Sequence, residues 1–192
     1  MTAIQSAFTP TPGTLGLTGV WQPSDNGLLG ASWDPSISTQ GGLMTAGTVY
    51  LIKIQPRINQ TISNLWWSLN TLGAGASTGC FTGLYSSAGT ELSGSADIAS
   101  QLTTAIGLVQ CPLLTPQPVT VGNFYWAAIV ENLATTQATL WRGVAPQQGN
   151  SNLTAATFKY ATNGTLATVL PASITPASNS QAAALAFWVG WS

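Results

Sequence analysis

Residues 123–131 (NFYWAAIVE) are apolar on both parities, with Phe124, Trp126, Ala128 and Val130 on one face and Tyr125, Ala127 and Ile129 on the other. A strand turns successive side chains to opposite faces, so this segment has to be covered on both sides, in the middle of a sheet. It is far shorter than the roughly 20 residues that span a bilayer as a helix. Residues 61–70 (TISNLWWSLN) set Leu65, Trp67 and Leu69 against Trp66, Ser68 and Asn70. Residues 48–54, 80–86, 90–93, 108–113, 137–142, 157–161, 165–170 and 183–191 add short segments separated by Gly, Pro, Asn and Ser. Short strands at this spacing predict an all-β fold, an antiparallel β-sandwich of jelly-roll character over residues 46–192.

Turn chemistry suggests the pairings. Ser87-Ala88-Gly89 joins 80–86 to 90–93 as a hairpin. Asn163-Gly164 is the strongest two-residue hairpin signal and predicts that 157–161 and 165–170 pair. Residues 137–142 follow 123–131 at hairpin distance. Residues 96–105 (ADIASQLTTA) could pass for a helix with Ser95 as cap, but the Thr pair is poor helix material, so an irregular link is expected. Residues 171–180 form a Pro/Ser/Asn loop, and the apolar last strand has to tuck the chain end into a sheet.

The first 45 residues differ. They hold Pro10, Pro12, Pro23 and Pro35 and no sustained period, and they read as an extended arm punctuated by turns such as Asp25-Asn26-Gly27. Gly16-Leu17-Thr18-Gly19-Val20-Trp21 returns as Gly27-Leu28-Leu29-Gly30-Ala31-Ser32-Trp33, so the arm carries two Leu/Trp plugs. Leu17, Trp21, Leu28, Leu29 and Trp33 are the candidate assembly anchors, to be buried on a neighbouring subunit or on the parent domain, since an exposed apolar tether is costly.

Only 5% of the 192 residues are charged, against roughly 25% in ordinary domains. Four Lys+Arg against five Asp+Glu give a net charge of -1. Such a chain has no basic field for nucleic acid and no electrostatic attraction to anionic membranes. At 45% hydrophobic it is too apolar for disorder. The amino-terminal residues MTAIQSAFTPTP lack a basic n-region and an apolar h-region, so export through a secretory signal is not expected. Cys80 and Cys111 are too few for a disulfide framework or a four-thiolate zinc site. Buried free thiols are the expectation, and a cross-strand disulfide is the alternative on which spacing is silent.

Catalytic chemistry finds little material. With no His, the usual general base, triad partner and metal ligand is missing. Gly73-Ala74-Gly75-Ala76-Ser77-Thr78-Gly79 has the wrong spacing for a dinucleotide loop and leads into a strand, although Asp97 follows at a suggestive distance. A carboxylate-pair hydrolase would have to draw on Glu91 and Glu131, which read better as isolated groups. No cofactor or metal is expected. Of the eight Trp, Trp66, Trp126 and Trp188 belong to apolar strands and are expected in the core. Trp21, Trp33 and Trp141 are candidates for exposure, and Trp141, followed by Arg142, is the candidate for stacking a sugar ring.

The segments GTVYLIKI, TGCFTGLYSSAGT and LLTPQPVTVGNFYWAA, within residues 47–132, resemble a β-sandwich module of virion structural proteins of actinobacterial tailed bacteriophages, of the minor tail, fibre and capsid-decoration type. The resemblance covers about half the chain and rests on strand-and-turn patterns. It implies a non-enzymatic virion protein, assembled in the host cytoplasm. Its partners would be major capsid or tail proteins and further copies of itself, with a trimer the expected homo-oligomer. It brings no catalytic residues. A carbohydrate-binding module recognising a host glycan is the alternative implied for the same virion setting.

Overall fold

The computed structural model describes residues 21–75, 79–143, 146–165, 167–182 and 185–192. In chain order the strands are β1 (Gly30–Ala31), β2 (Gln40–Leu43), β3 (Tyr50–Ile54), β4 (Gln60–Thr71), β5 (Phe81–Ser86), β6 (Glu91–Gly94) and β7 (Gly107–Val119). They continue with β8 (Tyr125–Val130), β9 (Thr139–Gly143), β10 (Tyr160–Thr162), β11 (Ser180–Gln181), β12 (Ala186–Phe187) and β13 (Val189–Trp191). Two antiparallel sheets result. The seven-stranded sheet runs β1-β13-β4-β9-β12, with β2 on β9 and β7 on β4, and the six-stranded sheet runs β11-β10-β3-β8-β5-β6. From β3 onward the chain passes repeatedly from one sheet to the other, as the sandwich reading requires.

The two-faced β8 lies inside the six-stranded sheet, between β3 and β5. Its Tyr125, Ala127 and Ile129 join Ile52, Leu65 and Trp67 in the core between the sheets. Trp126, Ala128 and Val130 face the other way, into a second cluster with Val49, Leu51, Tyr85, Leu170 and Ile174. Among the described residues no third sheet supplies that cover. Leu170 and Ile174 come from the Pro/Ser/Asn loop region, which is fixed to the β5–β6 turn. The Tyr85 hydroxyl donates to Pro171 O at 2.6 Å, Glu91 N donates to Ala172 O at 3.0 Å, and Ile174 N donates to Gly89 O at 2.8 Å. Gly89 is required here, because its φ is 92° and a Cβ would overlap the Ile174 carbonyl oxygen.

Several expectations hold: the β5–β6 hairpin, the inward row Leu65, Trp67 and Leu69, and the tucked carboxyl end. There Trp191 pairs with Leu65, and Ser192 O accepts from Ser63 N and Asn64 N. Others need correction. β10 pairs with β3 and β11, so among the described residues no hairpin forms at Asn163-Gly164. Asn163 instead holds the covering loop, donating from Nδ2 to Thr175 O at 3.0 Å and Asn179 Oδ1 at 2.7 Å. β9 does not pair with β8; it enters the opposite sheet and adds Leu140 to the shared core. The last strand divides at Trp188, β12 pairing with β9 and β13 with β4.

Ala99–Thr104 is a helix, α1, where an irregular link was expected. Its N-cap position is Ile98 rather than Ser95, and the preceding Asp97 braces the start: Asp97 Oδ1 accepts from Ala99 N at 2.8 Å and Oδ2 from Gly79 N at 2.7 Å. The suggestive distance between the glycine loop and Asp97 therefore has a structural meaning. Cys80 and Cys111 are buried and free, with burial pushing their thiols up to about 11 and about 12. No helix among the described residues is long and apolar enough to cross a membrane.

Candidate functional site

Of the expected anchors, Leu17 lies outside the described residues. The segment from Trp21 follows the sandwich closely: Leu29 N donates to Trp191 O at 2.8 Å, Ser32 N to Val189 O at 2.8 Å, and Thr39 N to Arg142 O at 3.1 Å. β1 and β2 are strands of the seven-stranded sheet, so at residues 30–31 and 40–43 the expected arm is sheet-paired. Leu28 is buried, and Trp33 packs on the core. The Trp33 ring meets Tyr160 edge-on at 5.8 Å, and its carbonyl accepts the Trp188 indole N–H at 2.8 Å. Trp21 is partly buried, while Leu29 is 48% exposed. Within one chain, therefore, the second plug closes the sandwich and leaves Leu29 facing out.

Trp126 and Trp188 are fully buried, as expected. Trp66, expected in the core, is only partly buried. Leu65, Trp67 and Leu69 take the inner face of β4, which leaves Trp66 on the outer one. The β7 register places Gln110 opposite Trp66, Pro112 opposite Asn64 and Leu108 opposite Ser68. Trp66 is held by its indole N–H donating to Ser192 Oγ at 2.9 Å, and Gln110 Nε2 donates to Asn64 Oδ1 at 3.0 Å. Farther along β7, on the same parity, Leu114 is 72% exposed. β4 and β7 contain no charged residue. The residues of both strands on the face they share are thus uncharged and partly apolar, with one anchored indole.

β7 pairs in register with β4, bridges to Ser95 at Leu113, and carries Pro112, Pro116 and Pro118, which have no N–H to offer a further strand. Such an edge discourages growth of the sheet and leaves the side-chain face as the contact surface. Trp141 lies on β9 opposite Gly41 and is partly buried, its carbonyl accepting from Trp188 N at 3.0 Å.

The two carboxylates considered for hydrolysis do not meet. Glu91 lines an open cleft of about 380 Å³ with Ser93, Ser95 and Leu114, and burial raises its pKa. Glu131 is not part of that wall. It is fully buried, its Oε1 accepts from Ala138 N at 2.6 Å, and its Oε2 has no partner. Burial pushes its carboxyl up to about 7, against the lowering effect of the Ala138 N–H. Among the described residues no three His, Cys, Asp or Glu side chains gather to hold a metal ion.

No protein-family model matches the chain, and no curated protein matches it. The charge-free β4–β7 face was not legible in the sequence, because it depends on which strand lies beside β4. The signal that could have suggested it is Leu108, Gln110, Pro112 and Leu114 at every second residue, opposite in parity to Val109, Cys111 and Leu113.

Proposed function

We propose that the protein is a non-enzymatic structural protein of a tailed-phage virion, packing as a homo-oligomer against capsid or tail neighbours. The observation that carries this reading is the uncharged outer face of β4 and β7, where Leu108, next to Gln110 opposite Trp66, is 46% exposed and Leu114, farther along β7, is 72% exposed. Exposed apolar side chains on a surface this poor in charge favour burial against protein, and Trp and Leu suit the centre of such a contact. The proposed occupant is a second copy of the chain, whose β4 and β7 are equally uncharged; Glu91, which shares a cleft with Leu114, lies off both strands. The resemblance of residues 47–132 to phage β-sandwich modules supports the virion setting.

Sedimentation of the full chain tests this, with Leu108→Lys and Leu114→Lys placed together on the face. The wild type sediments as an oligomer with little response to salt, and the double variant as a monomer with an unchanged melting temperature. A wild type that stays monomeric at about 100 μM would sink the proposal, since that concentration lies far above the Kd of a specific oligomer.

Glycan binding is the second reading. It is favoured by Trp66, an indole anchored on an open face beside the amide groups of Asn64 and Gln110. It predicts retention on a host-wall polysaccharide that is lost in Trp66→Ala or, for the other candidate, Trp141→Ala. Absence of retention across a glycan panel removes it.

A further inference from the structure

The chain contains two lysines, Lys53 and Lys159, among four cationic side chains in all. They are placed side by side. The β3–β10 register pairs Ile52 with Tyr160, and its continuation sets Lys159 opposite Lys53, whose N–H donates to Lys159 O at 2.8 Å. Like charges directly opposite one another destabilise a sheet. A mostly uncharged surface offers many positions where the two lysines would not meet, so their juxtaposition asks for a compensating group.

The protein supplies little of that compensation. Lys53 Nζ donates to Thr157 O at 2.8 Å and lies 5.0 Å from the centre of the Phe124 ring, and Lys159 Nζ lies 5.4 Å from the centre of the Tyr160 ring. Burial and the neighbouring Lys159 both lower the pKa of Lys53. Both ammonium groups have donors left over, since each carries three.

Lys53 and Lys159 open into a cleft of about 410 Å³, and the third cation of its wall is Arg57. Three of the four cationic residues thus line one cleft, and no carboxylate does. Asp25 and Asp34, the acidic residues nearest the lining in sequence, accept from Gln22 N at 2.9 Å and Ser36 N at 2.8 Å, and neither is in the wall. Residues 1–20 contain no Asp or Glu, so the amino-terminal stretch brings no countercharge. The rest of the wall includes Ser32, Gln55 and Trp191, whose indole N–H is buried without an acceptor.

Three cations in the lining of one cleft, Lys53 on β3, Lys159 just before the neighbouring β10 and Arg57 four residues beyond Lys53, suit an oxyanion, which accepts hydrogen bonds in several directions at once. The cleft is larger than a bare phosphate needs and falls in the range of small-molecule sites. We propose that this cleft binds a phosphorylated polyol or sugar, with Lys53, Lys159 and Arg57 gathering the phosphate and Trp191, Gln55 and Ser32 meeting the carbon skeleton and hydroxyls. This site is separate from the β4–β7 face and does not depend on the oligomer.

Calorimetric titration of the full chain with glucose 1-phosphate, inorganic phosphate and glucose tests it. Glucose 1-phosphate binds saturably and more tightly than inorganic phosphate, and glucose gives no heat. Arg57→Gln and Lys159→Gln each weaken binding by about ten-fold, the loss expected for one charge-assisted hydrogen bond. Arg57 is exposed, so its variant keeps the wild-type melting temperature and reports on the site alone. Absence of binding by either phosphate at about 10 mM, where even a weak specific site fills, overturns the proposal. So does equal affinity in the wild type and both variants, which would mark an adventitious ion only. Equal affinity for the two phosphates overturns the polyol assignment.

Discussion

Glu131→Gln separates the cost of a buried charge from everything else in the sandwich. Glu131 is 0% exposed, and one of its carboxylate oxygens has no partner. Its pKa rises from 4.5 to about 7 on folding. The fold therefore favours the protonated acid: the stability linked to this group is fully present below pH 4.5 and is lost as the pH rises through about 7. A shift of that size corresponds to about 3 kcal/mol between the two ends of the window. Glutamine can keep an oxygen for Ala138 N, but it places an amide where Oε2 lies, at a cost of about 1 kcal/mol at every pH. The variant should be less stable than wild type by about 1 kcal/mol at pH 4.5 and more stable by about 2 kcal/mol at pH 8.5, with the curves crossing between. For a chain of this length that means a melting temperature about 4–8 °C higher at alkaline pH. Thermal melts of both proteins from pH 4.5 to 8.5 supply the test. Taking the difference cancels groups common to both, including Glu91, whose pKa burial also raises. Parallel curves without a crossing would refute the reasoning and show Glu131 to be ionised at no cost in the fold.

Gly89→Ala should cost about 2 kcal/mol or more, because it strains a positive φ and drives a methyl into the Ile174 carbonyl. Loosening of the covering loop would then appear as a red shift in tryptophan emission, as Trp126 gains water. Asp97→Ala removes acceptors for Ala99 N and Gly79 N and should lower stability by about 1–2 kcal/mol in denaturant titration, whereas Ser95→Ala leaves the start of α1 intact. Cys80 and Cys111 should resist a thiol reagent at pH 8 in the native protein and react together after unfolding in urea; fast native labelling of either would contradict their burial.

Strand positions and the direction of the core were legible in the sequence because alternation is a local property. The inward row Leu65, Trp67 and Leu69 and the double-sided burial of β8 follow from parity alone. Pairing was less legible, since it depends on what lies across the sheet. Asn163-Gly164 has the chemistry of a tight hairpin, yet the amide of Asn163 is engaged by Thr175 and Asn179, and the residues beyond it cover Trp126. Helix α1 was missed because Asp97, which braces its start, also binds Gly79 N, a contact across a loop that no local rule anticipates. The surfaces suffered most. Trp66 belongs to an apolar run, and only the β7 register places it on an open face. The lysines stand 106 positions apart in sequence (159 minus 53), and only the β3–β10 ladder joins them. The scarcity of charge, by contrast, was plain from the start, and the charge-free β4–β7 face gives it a location.

The central proposal is that this sandwich serves inside a particle, and its most direct test is to look for it there. Purified phage particles should be probed with antibodies against the protein, and its copy number measured by quantitative mass spectrometry. The account predicts a fixed stoichiometry relative to the major capsid or tail protein and labelling at regular positions on the particle. Abundance in the lysate together with absence from purified particles would contradict it.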